Sequence, residues 1–127
     1  MTMHGDLAGK RVLVVEDEYF IASDLKRALE KQGAVVIGPV GDLDAGLALV
    51  EREQLDGAVL DVNLEGGQTF PIAVQLEERS VPYLFVTGYD AWAMPEAFRQ
   101  VPRIAKPVPM GTLISALDTL LVTGGPS

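Results

Sequence analysis

The chain has 127 residues, 48% of them apolar and 22% charged, the balance of one globular domain with a proper core rather than a disordered segment. A formal net charge of -8 without any local cluster of lysine or arginine argues against a nucleic-acid partner. The absence of cysteine excludes disulfides, thiolate metal sites and cysteine nucleophiles.

The first ten residues mix polar, charged and small side chains and lack the apolar stretch of a secretory signal. No apolar run is long enough to span a bilayer, so a cytoplasmic chain without a membrane partner is expected. His4 has no metal-ligand residue near it and reads as incidental.

Residues 12–15 are the first short apolar run, a predicted strand. Residues 19–32 follow with Ile21, Leu25, Ala28 and Leu29 on one helical face, and Gly33 stops the helix. Residues 34–37 predict the second strand, ended by Gly38-Pro39; Asp42 then caps a helix carrying Leu43, Leu47 and Val50 inward. Residues 57–60 are the third strand. A loop with Gly66 and Gly67 leads to a third helix with Pro71 in its first turn and Ile72, Ala73 and Leu76 facing the sheet. Residues 83–86 predict the fourth strand, and residues 90–100, with Pro95 inside, a short or irregular fourth helix. Trp92 and Met94 read as packing beneath that helix, with a partner-binding patch as the alternative. Ile104 and Ala105 mark a short fifth strand, and residues 109–122 a last helix with Leu113, Leu117, Leu120 and Leu121 in register.

Near-continuous apolar strands imply helices on both faces of a parallel sheet. The expected fold is a doubly wound α/β sandwich of five strands, flavodoxin-like (βα)5, in the order 2-1-3-4-5, spanning residues 10–122 between flexible tails 1–9 and 123–127, with no output domain. In such a sheet the functional crevice lies at the carboxyl ends of the first and third strands.

The residues just past the first, third, fourth and fifth strands are Glu16 with Asp17, then Asp61, Thr87 and Lys106. Three carboxylates in one crevice repel one another unless one holds a proton or a hard cation neutralises them, and Mg²⁺ suits an all-oxygen site completed by phosphate. A carboxylate can then accept a phosphoryl group, with a lysine pairing with its oxygens and a threonine hydroxyl donating to one of them.

The motifs Glu16-Asp17, Asp61-Val62-Asn63-Leu64, Thr87-Gly88 and Lys106-Pro107 resemble those of the CheY-like response-regulator receiver family. The resemblance implies that Asp61 is the phosphoacceptor, that Asp17 and Asp61 bind Mg²⁺ directly, Glu16 by way of a water and Asn63 by its carbonyl, and that Thr87 and Lys106 bind the phosphoryl group. It implies a cis Lys106-Pro107 bond that directs the lysine, and a sensor histidine kinase or histidine phosphotransfer protein as donor, with a downstream protein target or a phosphate relay or sink as outlet. Phe85-Val86-Thr87-Gly88-Tyr89 further resembles the motif of the FATGUY single-domain response regulators, with Val86 in place of Ala. Tyr89 and Asn63 sit where receivers vary the side chains that shield the phosphoryl group from water.

Arg103 departs from the family, which places an aromatic three residues before the lysine, and Val108 stands where an aromatic often follows Lys-Pro. With Gly88 and Pro95, these departures put the switch in the loop after the fourth strand. A phosphatase of the haloacid dehalogenase kind would place its nucleophile after the first strand. A flavin-binding domain would need a phosphate-cradling loop where Glu16-Asp17-Glu18 stands. A receiver that no longer takes phosphate would share the pattern, and the complete set of site residues argues against it.

Overall fold

The computed structural model describes residues 7–88 and 94–122. Its strands and helices are β1 (Arg11–Val15), α1 (Tyr19–Lys31), β2 (Val35–Val40), α2 (Leu43–Arg52), β3 (Gly57–Asp61), β4 (Asn63–Leu64), β5 (Gly67–Gln68), α3 (Phe70–Glu78), β6 (Tyr83–Thr87), β7 (Arg103–Ala105) and α4 (Met110–Val122). Five strands form one parallel sheet in the order β2-β1-β3-β6-β7, as the alternation of apolar runs and helical faces requires. No helix among the described residues is long and apolar enough to cross a membrane.

Alternation along β1 divides the core. Leu13 and Val15 pack with Leu60 and Phe85 against Val50 of α2 and Ile72, Ala73 and Leu76 of α3. Val12 and Val14 point to the other face, where Val59, Leu84 and Val86 meet Leu25 and Leu29 of α1 and Leu113 and Leu117 of α4. Each fully buried Leu or Val contributes about 1.5–3 kcal/mol, so the central strands anchor the crevice at their carboxyl ends. Asp42 caps α2 as expected, its Oδ1 accepting from Ala45 N at 2.7 Å.

Two expectations need correction. Leu7 is fully buried in the α1–α4 face of the core, and Gly9 N donates to Gly33 O, so the packed chain starts ahead of residue 10. Gly38-Pro39 does not end the second strand. β2 is an edge strand, where a missing N–H is tolerated, and its register to β1 slips between Leu13 and Val15 to take in an extra residue. Gly38 has φ +98°, and a Cβ there would stand 2.9 Å from the Val14 carbonyl oxygen, so the slip requires glycine.

The short or irregular helix expected over residues 90–100 takes the form, from residue 94 on, of a single 3₁₀ turn, Glu96–Phe98, after an extended Pro95. Residues 89–93, with Tyr89 and Trp92, lie outside the described part. Pro95 lacks the N–H that a preceding helical turn would use, and the burial of Met94 and Phe98 pulls the chain onto the sheet. Within the expected loop after Asp61, β4 and β5 pair as a miniature antiparallel hairpin.

Candidate functional site

Strand ends bring Glu16, Asp17, Asp61, Thr87 and Lys106 together at one edge of the sheet. Glu16 is fixed by its own backbone, its N–H donating to Val40 O at 2.9 Å, so the slipped end of β2 holds the first acid in place. Its Oε2 accepts from Glu18 N at 3.0 Å. Asp17 Oδ2 accepts from Glu65 N at 2.9 Å, which ties the β4–β5 hairpin to the other acid. Gly41 leaves room there, since a Cβ would lie 3.3 Å from Asp17 Cα.

Asp61 ends β3 almost fully buried, and its Oδ1 accepts from Asn63 N at 3.1 Å. Asn63 presents its side chain to Gln68 across the hairpin, its Oδ1 accepting from Gln68 Nε2 at 3.3 Å. The carboxyl oxygens of Glu16, Asp17 and Asp61 can all lie within 4.8 Å of one another. Glu16 Oε1 is buried without a hydrogen-bond partner among the described residues, an acceptor with nothing to accept. An all-oxygen donor set with one orphaned acceptor fits a hard divalent cation such as Mg²⁺.

Lys106 follows β7, its N–H held by Thr87 O at 2.7 Å, and its bond to Pro107 is cis. Its Nζ lies 3.0 Å from Asp61 Oδ2, 3.2 Å from Glu16 Oε2 and 3.6 Å from Glu18 Oε1. Burial works to lower the Lys106 ammonium, but the hydrogen bonds and charges of Asp61 and Glu16 together outweigh it and hold the group above its ordinary value. Burial pushes the Glu16 carboxyl up to about 7; the Asp61 charge adds to that, while the Glu18 N–H and the Lys106 charge pull the other way. Thr87 Oγ1, at the end of β6, is buried with no partner among the described residues.

Glu16, Asp17, Asp61 and Lys106 therefore meet at the carboxyl ends of the strands, and Thr87 joins them through its backbone carbonyl on Lys106 N. Two further contributors went unread. Thr69, before the third helix, has the look of an ordinary helix cap, yet its hydroxyl donates to the Asp61 backbone carbonyl at 2.6 Å while its N–H donates to Val62 O at 3.0 Å. Glu18 belongs to the Lys106 cluster as well as to the start of α1. The signal for Thr69 was a hydroxyl eight residues after the buried acid, which acquires meaning only when the hairpin folds the loop back.

The model of the response regulator receiver domain matches residues 12–118. The chain belongs to that family. SdrG from Sphingomonas melonis Fr1 is 38% identical, covering 89% of this chain and 97% of its own, with a TM-score of 0.79. The BeF3-activated conformation of SdrG from Pseudomonas melonis Fr1 is also 38% identical, over 90% of this receiver and 98% of its own chain, with a TM-score of 0.75. Transcriptional regulatory protein PdtaR of Mycobacterium tuberculosis is 27% identical over 113 residues, 86% of this receiver and 55% of PdtaR. This receiver spans about half the length of that curated relative.

Proposed function

We propose that Asp61 accepts a phosphoryl group from the phosphohistidine of a sensor histidine kinase or histidine phosphotransfer protein, in the cytoplasm, and that a protein partner reads the change. The observation that carries this is Lys106 Nζ, which bridges the Asp61 and Glu16 carboxylates from the end of β7.

An Asp61 carboxylate oxygen attacks phosphorus in line with the imidazole nitrogen; the O–P bond forms as the N–P bond breaks, and the imidazole leaves with the electron pair. Glu16, Asp17, Asp61 and the Asn63 carbonyl are the groups that would hold Mg²⁺, which when bound supplies charge to offset the carboxylates and the phosphoryl oxygens. Lys106, already at the Asp61 oxygen, moves its ammonium onto a phosphoryl oxygen. Thr87 Oγ1 donates to another, satisfying a hydroxyl that otherwise has no partner. Asn63 N keeps the acid oriented through Oδ1. Water later cleaves the acyl phosphate and returns the carboxylate. The likeness to the BeF3-activated form of SdrG supports the reading, because the chain shares that relative's fold over nearly its whole length.

The test is to incubate the protein with Mg²⁺ and acetyl phosphate and to measure intact mass for wild type and Asp61→Asn. One phosphoryl adduct on wild type alone is expected. An adduct on both would move the acceptor away from Asp61, and none on wild type would leave a receiver that binds partners without taking phosphate.

A further inference from the structure

Arg103, where the family has an aromatic, lies exposed on β7 and aims its Nη1 at the Arg99 carbonyl at 3.4 Å. It offers no ring to follow Thr87 inward. A different aromatic path is present. Phe70 opens α3 directly after Thr69, whose hydroxyl holds the Asp61 carbonyl. Its ring stacks on Phe98, 4.9 Å between centroids and 12° between planes, and both rings meet the edge or face of buried Phe85 at 5.8 and 6.0 Å.

Phe98 is the anchor of residues 94–101. Apart from the 3₁₀ turn this stretch has no regular structure, and its own backbone bonds are local: Phe98 N to Pro95 O, Arg99 N to Glu96 O and Val101 N to Phe98 O. What ties it to the sheet is side-chain burial, chiefly Met94 and Phe98 with Val101 beside them. One end of the Phe70–Phe98 pair is thus fastened to the phosphoacceptor loop and the other to a surface stretch with little else to hold it.

We propose that the Phe70–Phe98 stack is the positioning contact by which the state of Asp61 sets the packing of residues 94–101. The proposal rests on Asp61 as phosphoacceptor. When the loop bearing Asp61 and Thr69 tightens around a phosphoryl group, Phe70 moves with it, because Thr69 is the residue before it and is pinned to the Asp61 carbonyl. A stacked ring pair is sensitive to sub-ångström offsets, and a segment fastened mainly by Met94, Phe98 and Val101, with one long bond from Arg103 Nη1 to the Arg99 carbonyl, has a low-energy alternative in which they let go. Those two packings supply the discrete states that coupling requires.

The experiment is amide hydrogen exchange over residues 94–101 in the full chain, with and without Mg²⁺ and acetyl phosphate, with intact mass confirming the adduct. Wild type is compared with Phe70→Leu, Phe98→Leu and the milder Phe70→Met, and with Val74→Ser on the exposed face of α3 as a control. In wild type and Val74→Ser the adduct should change exchange in this stretch by about fivefold or more, the lower end of ordinary coupling between sites. The three ring variants should keep the adduct while that change falls to near onefold. Leu and Met are close to each other in volume and both lack the ring, so loss of the response in both Phe70 variants with the adduct retained marks coupling rather than unfolding. An adduct accompanied by the same response in wild type and Phe70→Met, or by no response in wild type, overturns the proposal alone. Absence of the adduct in wild type overturns the phosphoacceptor reading and this proposal with it.

Discussion

Lys106 Nζ stands 3.0 Å from Asp61 Oδ2, an ion pair between residues 45 positions apart that joins the ends of β7 and β3. The pair is nearly dry, since the lysine side chain is 15% exposed and that of Asp61 5%, so its electrostatics are little screened.

Lys106→Met therefore tests both chemistry and stability. Without the ammonium, Glu16 and Asp61 face each other uncompensated, and the phosphoryl oxygens lose a charged donor. Uptake from acetyl phosphate should slow by about 100-fold or more, the usual effect of deleting one such donor. Stability in EDTA should fall by up to about 3 kcal/mol, because an unpaired buried charge remains. Rates by intact mass and urea midpoints measure the two effects, and an uptake rate within a few-fold of wild type would sink the role given to the lysine.

Glu16 makes a pH prediction. Its carboxyl is raised from 4.5 to about 7 in the fold, so the native state binds this proton more tightly than the unfolded chain does. Its stabilising contribution is fully present below pH 4.5 and is lost as pH rises through 7, by roughly 3 kcal/mol in all. The Lys106 shift belongs to a window far above this one and leaves the sign unchanged. In EDTA, the stability of wild type relative to Glu16→Gln should decline across that interval, followed by urea unfolding at successive pH values. Added Mg²⁺ should flatten the decline, because a cation binding only the folded state favours the ionised carboxylate. A difference that stays level with pH in EDTA would remove Glu16 as a buried acid of this kind.

Much of this was legible beforehand because the strands are short apolar runs and four of the five in the parallel sheet carry a chemical residue at the carboxyl end. Position alone gathers Glu16, Asp17, Asp61, Thr87 and Lys106, once the strand order is that of a doubly wound sheet. What was hidden depends on contacts that a local pattern does not encode. Pro39 reads as a strand breaker, and only its place on an edge makes it tolerable. Residues 94–100 carry helical spacing, but Phe98 finds a better partner in Phe70, nearly thirty residues away. Thr69 resembles a cap until a hairpin returns it to the Asp61 carbonyl.

The exposed pair Tyr19 and Phe20, at 77% and 79% exposure, stands at the start of α1 just past the acidic residues, the rings edge to face at 5.3 Å. Under the proposed function a protein donor brings its phosphohistidine to Asp61 and meets this apolar surface, which starts two residues past Asp17, whereas acetyl phosphate need not touch it. Phe20→Ala should slow transfer from a cognate protein donor by about tenfold, worth roughly 1.4 kcal/mol of lost contact, and leave acetyl phosphate uptake unchanged. Stability should move by no more than about 0.5 kcal/mol, as expected of a surface position. Equal rates from the protein donor for wild type and variant would show that docking uses another face.

Thr69 separates the geometry of the loop from its charge. Thr69 is wholly buried, and its hydroxyl donates to the Asp61 backbone carbonyl at 2.6 Å, with the Val62 carbonyl at 3.4 Å. Thr69→Val keeps the shape and removes the donor, so the carbonyl loses a buried partner and stability should fall by about 1–3 kcal/mol. Thr69→Ser retains the oxygen and loses only a methyl, and should recover most of that deficit. If the bond also fixes where the Asp61 side chain points, uptake from acetyl phosphate will slow in Thr69→Val and return in Thr69→Ser, even under conditions where both are fully folded. A slowed Val variant rescued by Ser makes this hydroxyl part of the acceptor's positioning; a Val variant that is destabilised but reacts at the wild-type rate confines it to holding the loop together.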